Sequence, residues 1–318
     1  MDGLLIVDKP SGPTSHDVVA RVRRALRERR IGHTGTLDPM ASGVLPLVVG
    51  RATRLARFLS GDKTYDAAIR LGVDTDTYDA MGRAVGGTVS GPWPAWTEVD
   101  AALRRFRGTF LQQPPAFSAK KIDGRRSYAL ARRAGAEPLD AAGAGEAART
   151  MPAPVSVRTY AVDVIEVAAD LVRLRVRCSA GFYIRSLAHD LGAELGTGAH
   201  LSALRRTAAA GARIEQAIPL EAIHADGGLE VALAALVPME LMLDALPSVA
   251  LTDQGVARVR FGRDLGPADA VLGFAAAAAA AHGEPPALVR LLDSAGRLVA
   301  VAEAATAPGL LHPAVVLL

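Results

Sequence analysis

Apolar positions along this chain of 318 residues change period from segment to segment, and the period names the element. Leu4 to Val7 is a continuous apolar run closed by Lys9, Pro10, Ser11, Gly12 and Pro13, which predicts a short strand ending in a turn. Ser15 stands where an N-cap is expected, because Val18, Val19, Val22 and Leu26 then recur at helical spacing with arginines between them. Gly32 to Gly43 has no period and is punctuated by Gly35 and Pro39, so an irregular loop is predicted, with a buried strand following over Val44 to Val49. Tyr65, Ala67, Ile69 and Leu71 alternate with polar or small neighbours, the mark of a strand with one buried face. Val155 to Val167 and Leu171 to Cys178 read as paired strands. In the second, Val172, Leu174, Val176 and Cys178 share one face, and Arg173, Arg175 and Arg177 the other. Ile184, Leu187, Leu191 and Leu195 predict a helix beginning near Tyr183.

Other stretches are weaker. Arg133 to Pro152 is rich in Ala, Gly and acids, which predicts a mobile surface insertion. A connecting region from about Gly211 to Pro247 contains helical pieces such as Val231 to Leu236. Val249 to Leu251, Val271 to Phe274, Leu288 to Leu292 and Leu298 to Val301 are short strand candidates, which suggests a small β-rich second domain. The run Ala275 to Ala281 favours helix and carries no function.

Composition narrows the class. Half of the residues are hydrophobic and only 4% aromatic, so Ala, Val and Leu must build the core. One cysteine, Cys178, excludes an internal disulfide, and no Cys/His cluster has zinc spacing, so a reducing cytoplasm is expected. Met1 to Pro13 lacks the pattern of a secretory signal, and no apolar stretch is long enough to span a bilayer; a soluble protein is expected. Net charge is only +3, yet Arg21, Arg23, Arg24, Arg27, Arg29 and Arg30 form one cluster and Arg125, Arg126, Arg132 and Arg133 another. Two such runs flanking one candidate site point to a polyanion partner.

The candidate chemistry lies in the irregular loop. Pro39 biases Asp38 toward an extended conformation, which suits an exposed carboxylate in a tight loop, although an isolated Asp-Pro pair is most often an ordinary turn. The wider block reverses that weighting. Gly32 to Pro46, reading GHTGTLDPMASGVLP, resembles the catalytic motif of the TruB family of tRNA pseudouridine synthases, the pseudouridine-55 synthases named after their target uridine in the T loop. Leu5 to Asp17 (LIVDKPSGPTSHD), Gln113 to Arg126 (QPPAFSAKKIDGRR) and Arg177 to Gly192 (RCSAGFYIRSLAHDLG) resemble further segments of the same family, so the likeness covers most of residues 3–207.

The resemblance implies an α/β (α+β) fold: a pseudouridine synthase core with a mixed, mainly antiparallel sheet, flanked by helices and split by an RNA-binding cleft, plus a small C-terminal PUA-like β-barrel. Residues 1–245 would form the catalytic domain, with an RNA-binding insertion at about 113–152, and residues 246–318 the PUA-like RNA-binding domain. It implies that Asp38 is the nucleophile, that Arg185 is its ion-pair partner, and that Tyr65 stacks on the target base and is a candidate for moving the C5 proton. His33 is implied in flipping the base, and Tyr183, Lys120, Lys121, Arg125 and Arg126 in holding RNA. Phe117 stands where the family commonly has tyrosine. Lys9 and Lys63 also match family positions and are expected to be structural or phosphate-facing, not catalytic.

Isomerising uridine breaks a C–N bond and makes a C–C bond on the same base without net redox change, so no cofactor is expected. A carboxylate nucleophile divides that change into two easier steps. In a closed pocket it needs a nearby cation or several hydrogen bonds to remain anionic, the part Arg185 would play. Asp74, Asp76 and Asp79 alternate as calcium ligands do, but the glycine and distal glutamate of a calcium loop are missing, so no metal is expected. The implied partner is the T-arm stem-loop of tRNA, with neither a membrane nor an obligate protein partner. The rivals are the guide-RNA-dependent subunit of a ribonucleoprotein, disfavoured by a first motif starting at Gly3, a non-catalytic RNA-binding or RNA-folding protein, and metal-dependent phosphoryl transfer on RNA.

Overall fold

The computed structural model describes residues 1–116, 121–122, 125–126, 152–283 and 287–318. Strand β1 (Gly3–Lys9) leads into helix α1 (Ser15–Leu26), and β2 (Ile31–His33) and β3 (Ser42–Val49) flank the loop predicted as irregular. β4 (Lys63–Leu71) follows, then the small ribbon of β5 (Asp74–Thr75) and β6 (Ala84–Val85) and helix α2 (Trp96–Leu103). β7 (Gly108–Gln112) precedes a hairpin of β8 (Lys121–Ile122) and β9 (Arg125–Arg126). β10 (Val155–Ala168), β11 (Leu171–Cys178), helix α3 (Ile184–Glu194) and β12 (Ala199–Ala209) complete the segment.

Among the described residues, eleven strands form one mixed sheet along the path Ile218–Pro219, β1, β3, β12, β4, β11, β10, β7, with three short strands attached at its sides. From β12 to β7 every pairing is antiparallel, and so is β1 with β3. The two halves meet at a parallel junction only two pairs long, Ser42 with Arg205 and Gly43 with Arg206. Gly43 has φ +103°, and a Cβ there would lie 2.2 Å from the Arg206 carbonyl oxygen, so glycine is what lets the halves join.

The residue patterns explain the layering. β1 and β3 are apolar on both faces: Leu5, Val7, Leu45 and Leu47 join the main core, while Leu4, Ile6, Val44 and Val48 join a second cluster behind the sheet. β4 is apolar on one face only, with Tyr65, Ala67, Ile69 and Leu71 inward and Asp66 and Arg70 outward. Helices α1 and α3 bury Val18, Val22, Leu187 and Leu191 in that main core. The outward arginines of β11 pair with carboxylates on neighbouring strands or their ends: Arg173 with Glu166 at 2.9 Å, Arg175 with Asp66 at 2.8 Å and Arg177 with Asp62 at 3.4 Å.

The sequence expectations need correcting at four points. The N-cap of α1 is Thr14 rather than Ser15: the Thr14 hydroxyl accepts from the Asp17 N–H, and the Asp17 carboxylate accepts from the Thr14 N–H, a capping box. The stretch expected to connect the domains contributes Ile218–Pro219 and Val237–Pro238 to the main sheet, against β1. Ala199–Ala209, the central strand, was not foreseen. Phe274 opens a helix, Phe274–Ala281, instead of closing a strand.

C-terminal to residue 247, strands Ser248–Leu251, Ala270–Leu272, Val289–Leu292, Leu298–Ala304 and Leu311–Val316 form a separate five-stranded sheet. The alanine helix packs Ala277, Ala278 and Ala281 into its core. Leu298, Val301 and Leu317 in turn reach the cluster behind β1 and β3. The expected insertion at 113–152 lies mostly outside the described residues.

Candidate active site

Asp38 lies on the loop between β2 and β3, in a turn closed by the Ala41 N–H donating to the Asp38 carbonyl at 3.0 Å. Side chains from distant segments hold this loop. Lys9, wholly buried, donates to the carbonyls of Pro10 (2.9 Å), Pro39 (3.2 Å) and Ala41 (2.6 Å), so all three ammonium donors are engaged. Burial pushes the Lys9 ammonium down to about 8, against the pull of the nearby Asp38 carboxylate. The Ser15 hydroxyl accepts from the Leu37 N–H at 2.9 Å and donates to the Leu37 carbonyl at 3.1 Å, which is what it does in place of capping. Arg206, also wholly buried, donates to the carbonyls of Val44 (2.8 Å), Gly35 (3.1 Å) and Thr36 (3.4 Å).

Arg185 completes the arrangement. Its Nε lies 2.9 Å from Asp38 Oδ2 and its Nη2 3.3 Å from Oδ1, a two-point grip. Its Nη1 donates to the Thr77 carbonyl at 3.2 Å and lies 3.7 Å from Asp79 Oδ2. A cation in the first turn of a helix sits at the unfavourable end of the helix dipole. Two carboxylates answer that cost. Asp79 is itself held, accepting from the Thr77 hydroxyl at 2.7 Å and the Met81 N–H at 3.0 Å. Arg185 is 6% exposed, whereas the Asp38 side chain keeps 34% of its surface accessible. The guanidinium is therefore the buried half of the pair, and the carboxylate is what the site presents.

It presents it to a cavity of about 250 Å³ lined by Asp38, Lys63, Tyr65, Tyr183, Arg185 and Leu204, among others. Tyr65 is buried, and burial pushes its phenol up to about 12 while the Arg206 guanidinium beside it pulls the other way. Tyr183 caps α3, its backbone N–H donating to the Gln112 side-chain oxygen and its carbonyl accepting from the Gln112 amide, both at 2.9 Å.

Asp38, Tyr65, Arg185 and Tyr183 thus converge. His33 stands at the end of β2, edge-on to His16 with ring centroids 5.4 Å apart, and does not line the cavity. Lys120 and Phe117 lie outside the described residues, and of Lys121, Arg125 and Arg126 only the backbone hairpin is described. The three aspartates do not converge: Asp79 faces Arg185, Asp74 accepts from the Ala199 N–H and Asp76 from the Arg83 N–H. Sequence reasoning weighed Asp79 only as a metal ligand and missed Arg206; of the two roles expected for Lys9, structural or phosphate-facing, the structure shows the structural one. The one signal for Lys9 was a lysine closing a strand that opens with the apolar run Leu4 to Val7.

Solved structures resemble nearly the whole chain. A Cbf5-Nop10-Gar1 complex aligns with TM-score 0.67 and 30% identity over 99% of this chain and 85% of that one. An H/ACA ribonucleoprotein bound to a substrate RNA containing 2′-deoxyuridine gives TM-score 0.64 and 28% identity over 95% and 77%. The fold is that of a pseudouridine synthase core. The profile described as the TruB family pseudouridylate synthase N-terminal domain matches residues 23–184, and the tRNA pseudouridylate synthase B C-terminal domain matches residues 185–244. The tRNA pseudouridine synthase B of Solibacter usitatus is 42% identical over 318 residues, all of both chains, and that of Synechococcus elongatus 40% identical over 99% of this chain and 98% of its own. The chain belongs to the TruB family of pseudouridylate synthases.

Proposed function

We propose that this protein isomerises uridine to pseudouridine in the T loop of tRNA, at position 55, with Asp38 as the nucleophile. The carrying observation is the Asp38–Arg185 pair at the cavity wall, in which the carboxylate keeps 34% of its side-chain surface accessible and the guanidinium side chain only 7%. Full-length relatives named for tRNA support the substrate.

The target base leaves its stack and enters the cavity. Arg185 aims Asp38, which forms a covalent bond to the nucleoside as the N1–C1′ bond breaks. The base turns, C5 bonds to C1′ and displaces the Asp38 oxygen, the C5 proton departs and N1 gains a proton, so atoms and electrons balance without a cofactor or metal. Tyr65 packs on the base and relays the C5 proton, its hydroxyl oxygen accepting that proton as its own O–H proton passes to solvent. Tyr183 borders the base, and His33 enters the stack that the base vacates. Lys120, Lys121, Arg125 and Arg126, in the insertion at about 113–152 of the catalytic unit 1–245, clasp the RNA backbone. Residues 246–318 act as a PUA-like RNA-binding domain, and the enzyme works in the cytoplasm.

The likeness to the Cbf5 complex favours one second reading, a synthase that requires a guide RNA. Tritium release from a 5-labelled T-arm stem-loop, with no other RNA or protein present, decides between them. Wild type should release tritium and Asp38→Asn should not. Release by both refutes the nucleophile. Release by neither, with the stem-loop bound, favours the guide-dependent or the binding-only alternative.

A further inference from the structure

We propose that Lys63 is a catalytic residue whose ammonium stabilises the negative charge on uracil as the N1–C1′ bond breaks. The proposal rests on the reading above and revises the expectation that Lys63 is structural or phosphate-facing.

Lys63 opens β4 two residues before Tyr65, so the two side chains leave the strand on the same face, and both line the cavity that Asp38 enters. The cations around this site differ in what they already hold. Lys9 has three carbonyls, Arg206 three more, and Arg185 two carboxylates and a carbonyl. The Lys63 ammonium has no hydrogen-bond or ion-pair partner among the described residues, although its side chain is half-buried. Burial, then the nearby Arg206 charge, also lowers its proton affinity. A partly desolvated cation without a partner is a poor device for stability. It is a good one for charge that appears only during reaction, because the donor is already in place when the anion forms.

The step balances. As the Asp38 oxygen bonds to C1′, the electron pair of N1–C1′ passes to the base, where N1, O2 and O4 share the charge. The ammonium donates a hydrogen bond to one of the two carbonyl oxygens and keeps its proton. Attack by C5 on C1′ then discharges the base and displaces the Asp38 oxygen. The C5 proton leaves, N1 takes one up, and nothing is oxidised or reduced.

The test varies the leaving group. Single-turnover loss of the target nucleoside is followed by chromatography of digests, from T-arm stem-loops carrying uridine or 5-fluorouridine, with wild type, Lys63→Met and Lys63→Arg. Fluorine stabilises the uracil anion, so the fluorinated base needs the ammonium less. Lys63→Met should slow uridine by about 10²–10³-fold, as removal of one charge-stabilising donor does. The defect on 5-fluorouridine should be smaller by about tenfold or more. Stem-loop affinity should stay near wild type, and Lys63→Arg should recover much of the rate. Equal slowing of both RNAs by a folded Lys63→Met would overturn the proposal, as would a defect confined to affinity, which marks a phosphate contact. Should Lys63→Met unfold, Lys63→Gln carries the same comparison. A wild type inert on both RNAs would overturn the underlying assignment as well; an active wild type with leaving-group-blind variants overturns this proposal alone.

Discussion

Replacing Arg185 by methionine keeps most of the buried stem and removes the guanidinium that faces Asp38 at 2.9 Å and Asp79 at 3.7 Å. Breaking a buried ion pair by deleting one partner costs about 3–5 kcal/mol. The lower end applies, because the Asp38 side chain is 34% exposed to water and Asp79 keeps the Thr77 hydroxyl and the Met81 N–H. A stability loss of about 3 kcal/mol is expected from urea unfolding. The catalytic loss is separate: without its two-point grip Asp38 swings freely, and a displacement of about 1 Å at a reacting atom costs about 10²-fold in rate. Stem-loop affinity should barely change, because a side chain 7% exposed cannot reach backbone phosphates. Arg185→Lys should recover only part of the rate, since one ammonium cannot hold both carboxylate oxygens as a guanidinium does. Single-turnover tritium release and filter binding measure the two quantities. Equal losses in rate and affinity would refute the reasoning and make Arg185 a phosphate contact.

Other predictions follow from the loop and the junction. Lys9 holds its proton less tightly in the folded chain (about 8) than at its ordinary value of 10.5, so unfolding takes up a proton between those values and global stability should rise with pH across that window. The neutral amine has only two donors for three loop carbonyls, so turnover should fall as pH rises through about 8, a limb absent from Lys9→Met; a flat wild-type profile between pH 7 and 9 would count against the clamp. Tyr65→Phe should keep RNA affinity but lose about 10²–10⁴-fold in rate, with a kinetic isotope effect emerging at C5. Turnover near wild type would leave Tyr65 a stacking role only. Gly43→Ala should destabilise by about 3 kcal/mol or more in denaturant, since the new Cβ meets the Arg206 carbonyl at 2.2 Å in a backbone conformation unfavourable to alanine.

Much of this arrangement could be read from the chain before any fold was known. The helical period of Val18, Val22 and Leu26, and the alternation on β4 and β11, place both layers of the main core, because burial on one face leaves a periodic record. The loop holding Asp38 and the tight spacing around Arg185 were legible as a family resemblance. What escaped is polar and buried. Arg206 lies on a strand whose alternation is broken by Ser202, Arg205 and Arg206, so both the strand and its buried arginine were invisible. Asp79 looks like any turn aspartate until α3 brings Arg185 against it from 106 positions further on, and no local pattern encodes that meeting. Ser15 has the residue type of a cap, but Thr14 takes that place and frees Ser15 for Leu37.

The proposed chemistry depends on the Asp38 carboxylate being the group that attacks. Pseudouridine content at the T-loop position of unmodified tRNA, measured by nucleoside chromatography after incubation with wild type or Asp38→Asn at matched RNA occupancy, tests it most directly. Full conversion by wild type and none by the variant is the predicted result. Pseudouridine produced by Asp38→Asn would contradict it.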